Sequence, residues 1–231
     1  MPNLIRLEMK KYKLVSYVKG AIIANVIIAG LFIALLFVSN YEKELMFNNY
    51  TEALSAIETL VRATFIIFAA TLISKLIISE FKDKTITTLF LYPVNRKKLI
   101  AAKLAIVIVF TFCSITLSNL FLTAVFSIVT TYFDLVPGSL TVAIVTQHAP
   151  FVLMNAVAAS GMSLIPLYFG MKKFSVSTTI ISSVLIVLII SSNSGNFSLN
   201  DILIIPISLA IIGISIAYFA IRNIEKTDLK C

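Results

Sequence analysis

LAIVIVFTFCSITLSNLFLTAVFSIVTTYF, Leu104 to Phe133, contains no charged residue, no glycine and no proline. As a helix rising 1.5 Å per residue it would be about 45 Å long, well beyond the roughly 30 Å hydrocarbon core of a bilayer. Such a helix must tilt or project beyond the membrane. A soluble domain has no place for so long an uncharged run, and the composition agrees. The 231 residues are 59% hydrophobic and only 13% charged, with a mean hydropathy of +1.00. The chain reads as an all-α integral membrane protein.

Working outward, uncharged or nearly uncharged runs of spanning length recur at Gly20 to Val38, Leu60 to Ile78, Leu104 to Tyr132, Ala149 to Met171, Phe174 to Ser192 and Ile202 to Ile221. Six transmembrane helices are expected at about these boundaries. Only the second run carries charges, Arg62 and Lys75, each within a turn of an end and read as a snorkelling anchor. Sixteen of the nineteen Lys and Arg residues fall on the side of the two termini, whereas Lys43 stands alone on the other with six carboxylates, Glu52 and Glu58 among them. The positive-inside rule then places both termini in the cytoplasm. The eight tyrosines lie near the expected boundaries, as belt residues do. The first run is long for a signal peptide and no A-x-A site follows Val38, so it stays as a span. Asn49-Tyr50-Thr51 and Asn196-Phe197-Ser198 fit the glycosylation pattern, which is too short to assign a function.

Residues 3–18 set Leu4, Leu7, Leu14 and Val18 on one stripe and Arg6, Lys10, Lys13 and Tyr17 on another, the pattern of a helix lying in the inner interface. A merely basic leader explains it equally well. Pro150, Gly161, Pro166 and Gly170 predict kinks in the fourth span, with Pro206 and Gly213 milder versions in the sixth. No internal repeat or linker divides the chain, so residues 1–231 form one transmembrane domain.

The stock for chemistry is small: one His, two Cys and no Trp. No metal site or catalytic dyad is expected, and Cys113 and Cys231 read as free thiols. No Asp, Glu or His is expected in mid-span, which disfavours proton coupling. Interior polarity comes from residues such as Asn25, Ser114, Ser118, Asn119, Asn155, Ser160, Ser163, Thr178, Thr179 and Ser182, for which interhelical hydrogen bonding and close packing are the simplest explanation. An intramembrane serine protease is excluded: there is no G-x-S-x-G, and His148 starts the same span that carries Ser160 and Ser163, so it is read as capping or decorating an interface. A Walker A sequence is absent too. The net charge of +8 reflects topology, and no nucleic-acid partner is expected. The chain is not an enzyme, and it holds neither metal nor cofactor.

The most informative segment is 80–98. Glu80 and Lys84 stand at i, i+4 on a continuation of span two, and Ile86, Leu89 and Phe90 give the next turns an apolar face. Pro93 ends the segment, and Asn95 with the following basic residues starts a new helix. A short amphipathic coupling helix is therefore expected crosswise beneath the membrane, between spans two and three. Glu80 to Lys84, Thr85-Ile86, Leu89, Pro93, Arg96, Leu99-Ile100 and Lys103 resemble the E-x-x-x-G-T-hydrophobic, P-x-x-R and leucine-Lys pattern of ABC-2 type exporter permeases. Lys84 stands where that family has Gly, and the loop Ser191 to Asn200 is shorter than the outer re-entrant helices of larger relatives. Compact members of this kind resemble bacterial permeases for peptide export and for self-immunity against bacteriocins and lantibiotics.

The resemblance implies a plasma-membrane transporter of two permease subunits, this chain with a second copy or a paralogue, and two separate ABC ATPase subunits that bind Mg-ATP. ATPase coupling would fall to Glu80, Asp83, Lys84, Thr85, Leu89, Pro93 and Arg96, with Arg6 and Lys10 of the leader as a second contact. The sparse interior polarity suggests a substrate path along Asn25, Asn119, Asn155, Gly161, Ser163, Pro166, Thr178 and Ser182, suited to an amphipathic or apolar substrate such as a peptide or toxin, and surrounded by membrane lipid. The competing reading is a six-span accessory, scaffold or sensor protein without a transport path.

Overall fold

The computed structural model describes residues 2–12, 14–42, 47, 49–83, 96–133, 142–191, 193–194, 197–198 and 204–227. Helix α1 (Pro2–Lys11) leads into α2 (Leu14–Glu42). Next comes α3 (Tyr50–Ile73), continued by a π-helical segment (Ser74–Ile78) and α4 (Ser79–Lys82) into one 33-residue rod. Helix α5 (Arg96–Phe133) is 38 residues long, which fits the expectation of an over-long third span. The rest consists of α6 (Val142–Met162), α7 (Ile165–Lys173), α8 (Val176–Ser191), a hairpin of β1 (Asn193–Ser194) and β2 (Phe197–Ser198), and α9 (Ile204–Thr227).

Among the described residues, four apolar helical stretches are long enough to cross a membrane: Val15–Ser39, Tyr50–Lys82, Lys97–Phe133 and Ile144–Lys173. Val176–Ser191 and Pro206–Arg222 are shorter apolar helices. The run expected as a kinked fourth span is divided at Ser163 and Leu164. Pro166 explains the break, because it lacks an N–H and fits the first turn of a new helix, where it stands in α7. Phe174 caps α7 in the left-handed conformation at φ 45° and so turns the chain into α8.

Helix α3 lies at the centre, packed on α5, α6 and α8, while α6 makes the most extensive contact of the fold with α9. The rod of α3 and α4 is mostly buried and α2 mostly exposed, so α2 is peripheral. Its Ile22, Ile23, Val26, Ile27 and Leu31 point outward, a row of apolar side chains suited to lipid or to a partner's apolar surface. Ring contacts join Phe32, Phe47, Tyr50 and Phe126 at one end of the bundle. Leu76, Ile77, Phe81, Ile100, Leu104 and Leu167 fill the other, basic end.

Helices α6 and α9 meet backbone to backbone. A side chain at Gly213 would collide with the Gly161 carbonyl oxygen, and a Cβ on Gly161 would stand 2.8 Å from Ala210 Cβ. Small residues allow this approach, as in other apolar helix pairs.

Two expectations are overturned. Arg62 is not a snorkelling anchor: it is 2% exposed and faces the bundle. Glu58, taken as part of an acidic loop, lies within α3 and is 3% exposed, so the interior does contain a carboxylate. Helix α3 starts ten residues before the expected span and so carries Glu58 into the packing, one turn from Arg62.

Candidate functional site

The basic end holds a buried ionic joint. Lys103 on α5 is wholly buried, and its ammonium donates to Glu80 Oε2 at 2.5 Å and to the Leu76 carbonyl at 2.8 Å. Leu76 lies inside the π-helical segment, a widened turn of the kind found at functional sites. Glu80 Oε1 accepts from Lys11 Nζ at 2.6 Å and from the Tyr12 hydroxyl. Glu8 Oε2 is 3.5 Å from Lys103 Nζ, and the Tyr12 ring lies between two ammonium groups, 5.1 Å from Lys11 and 5.2 Å from Lys103.

Two buried carboxylates thus face one wholly buried ammonium, Lys103, and a second, Lys11, whose side chain is 43% exposed. Burial, reinforced by the Glu80 carboxylate, pushes the Tyr12 phenol above its usual range and keeps it a donor. The joint ties three pieces of chain: the C-terminal turn of α1, the end of the α3–α4 rod and the second turn of α5. The leader is therefore docked by specific contacts.

Of the expected coupling residues, Glu80 is at the heart of this cluster. Asp83 and Lys10 are exposed, and Lys84, Thr85, Leu89 and Pro93 lie outside the described residues, as do the side chains of Arg6 and Arg96. The expected crosswise helix falls largely on that undescribed stretch. Sequence reasoning missed Glu8 and Tyr12. Their signal was available, since Glu8 near the end of α1 and Tyr12 just past it stand at i, i+4, with Lys11 adjacent.

A second polar cluster lies toward the far end. Asn155 on α6 donates to Glu58 Oε1 at 2.5 Å, and His148 Nε2 is 3.4 Å from Glu58 Oε2 without hydrogen-bond alignment. Arg62 supplies the countercharge from α3. His148 does decorate an interface, but what it covers is a buried carboxylate. On its other side a groove of about 230 Å³ opens between α3, α5 and α6, bordered by Leu54, Thr116, Asn119, Leu120, His148 and Val152.

Among the expected path residues, Asn119 borders this groove and Asn155 lies behind it. Asn25, Ser163 and Ser182 donate to carbonyls of their own helices. Gly161 is pressed against α9 and Pro166 is buried at the start of α7, while half-buried Thr178 starts α8 beside Ser175. These positions are not gathered along one channel within the described residues.

Residues 4–190 match the family described as ABC-2 family transporter protein. The chain is also 46% identical over 226 residues to an uncharacterized protein, YcbO, of Bacillus subtilis (strain 168), covering 98% of this chain and 99% of that one. No solved structure matches. A family match across most of the chain, on a bundle of membrane-length helices whose motif glutamate and lysine join at its basic end, gives the conclusion: the chain belongs to the ABC-2 family of transporter proteins.

Proposed function

We propose that this chain is the permease subunit of an ATP-driven exporter in a bacterial plasma membrane, moving an amphipathic or apolar substrate such as a peptide or toxin. It spans the membrane six times with both termini in the cytoplasm, α8 and α9 serving as the fifth and sixth spans. It pairs with a second permease, identical or paralogous, and with two ABC ATPase subunits that bind and hydrolyse Mg-ATP.

The observation that carries this reading, beyond family membership, is the Glu80–Lys103 joint. A soluble ATPase can do work on a membrane domain only through a stiff element at the cytoplasmic surface. The joint makes one solid piece of the leader, the end of α3–α4 and the start of α5, the two ends that residues 84–95 connect in sequence. A push on that segment is passed to both long helices together. A scaffold or sensor without a transport path is less well served by such a construction.

Purification of the chain from its own cells is expected to bring down an ABC ATPase, and the complex in vesicles should hydrolyse ATP and expel an amphipathic peptide. If well-folded chain carries no ATPase, the scaffold reading replaces this one. On a background lacking Cys113 and Cys231, single cysteines at Asn95 and Thr227 are expected to react only from the cytoplasm, and those at Asn48 and Asn196 from outside. Reaction of Asn95 from outside would refute both the orientation and the coupling role.

A further inference from the structure

We propose that the cavity between α7 and α9, at the basic end of the bundle, is a binding site for an anionic phospholipid of the adjoining leaflet. The permease reading bears only on which leaflet that is; the site itself rests on its walls and its charge.

The walls come first. Helices α6 and α9 touch at Gly161 and Gly213, and Ile165 at the start of α7 still reaches Gly213. Further along, Tyr168, Met171 and Lys172 of α7 and Ile216, Phe219 and Ala220 of α9 border a cavity of about 540 Å³ instead of packing closed. Sites that enclose a small ligand run from about 300 to 1,000 Å³, so there is room for a length of acyl chain. Tyr168 is 52% exposed and Phe219 55%, so the cavity opens to the outside of the bundle past aromatic rings. A soluble anion gains nothing from such walls, whereas a hydrocarbon chain does.

Charge selects the head. Tyr168 and Lys172 stand one helical turn apart and are the two polar-tipped residues among the apolar ones that border the cavity. An ammonium offers three donors and a phenol one, and no carboxylate borders the cavity among the described residues. Lys173 follows directly, and Arg222 lies one turn beyond Phe219. Among the described residues, the Tyr168 hydroxyl has no hydrogen-bond partner, and Lys172, Lys173 and Arg222 have no ion-pair partner. The carboxylates of Glu8 and Glu80 at this end are buried beside Lys103. Three cations are therefore left for an anion from outside the chain. A phosphate diester accepts from ammonium and phenol alike. A zwitterionic head brings a cation of its own, which these three repel, and a net anionic head does not.

The test is native mass spectrometry of the purified chain, released from detergent micelles after addition of phosphatidylglycerol or of phosphatidylcholine with the same acyl chains. Phosphatidylglycerol is expected to bind at least about tenfold more tightly than phosphatidylcholine, since each basic residue near such a head contributes roughly fivefold. Lys172→Gln should weaken its binding roughly fivefold. Ala220→Trp, which fills the cavity and leaves every charge in place, should abolish it. Lys82→Gln, exposed at the same end but outside the cavity, should leave it unchanged. If Ala220→Trp does not yield folded protein, Lys172→Gln against Lys82→Gln carries the test. Equal binding of the two lipids, or equal losses from Lys172→Gln and Lys82→Gln, overturns the site. Displacement of the lipid by free glycerol phosphate overturns it too, as does unchanged lipid binding in Lys172→Gln with less ATPase recovered, which would make the basic rim a protein contact. The lipid measurement needs no ATPase, so its failure leaves the permease reading to its own experiment.

Discussion

Two clusters of charge are buried in this bundle, and they are finished differently. At the basic end the central pair is fully engaged, Lys103 by Glu80 and the Leu76 carbonyl, Glu80 also by Lys11 and Tyr12, while Glu8 Oε2, 3.5 Å from Lys103, is buried without a hydrogen bond. At the far end His148 Nε2 and Asn155 Oδ1 are buried without a hydrogen bond, and a groove lies beside them. A pair such as Glu80 and Lys103, with its partners in place, is a fastening, because any rearrangement exposes a bare charge to an apolar interior. A set with atoms left over can exchange partners at lower cost, which is what a place of binding requires.

The largest expected effect tests the fastening. Lys103→Met leaves Glu80 with a buried, under-compensated charge, and should cost about 3 to 5 kcal/mol in unfolding experiments in mixed micelles. Glu80→Gln combined with Lys103→Met should recover much of that loss, since neither charge then remains. A double variant no better than the single one would show that the pair is not the source of the stability. Next, Tyr12→Phe removes one donor to an ionised carboxylate and should cost about 1.5 to 3 kcal/mol, together with faster proteolytic cleavage of the leader ahead of α2.

Effects at the other cluster should be smaller. Asn155→Leu removes one interhelical bond to Glu58, worth about 0.6 to 2 kcal/mol by the same unfolding measurement. His148→Phe, which removes a ring that makes no hydrogen bond to Glu58, should leave stability within about 0.5 kcal/mol. If His148→Phe destabilised as strongly as Lys103→Met, the distinction between fastening and open site would collapse.

Much of the architecture was legible because uncharged length is a local property. Leu104 to Phe133 announced an over-long helix, Pro166 a break, and Glu80 with Lys103 a family motif. The two clusters were not legible as clusters, since their bonds join residues distant in sequence: 23 apart for Glu80 and Lys103, 97 for Glu58 and Asn155. Counting charges outside uncharged runs assigns all of them to water. Glu58 escaped that rule because α3 starts ten residues before the expected span, and Lys103 because α5 starts before the uncharged run; Arg62, inside the expected span, faces the bundle instead of the headgroups. Tyr12 looked like any belt tyrosine until α1 was seen against Glu80.

The meeting of Gly161 and Gly213 has a mechanical consequence. Helices whose side chains interlock behave as toothed racks, and one must climb over the other's ridges in order to turn. Where two glycines touch there are no teeth. This smooth spot comes two residues before the break between α6 and α7, so it forms a bearing placed next to a joint. Around that point Met162 and Ile165 still pack with Ala210, so the smooth contact is confined to the two glycines themselves.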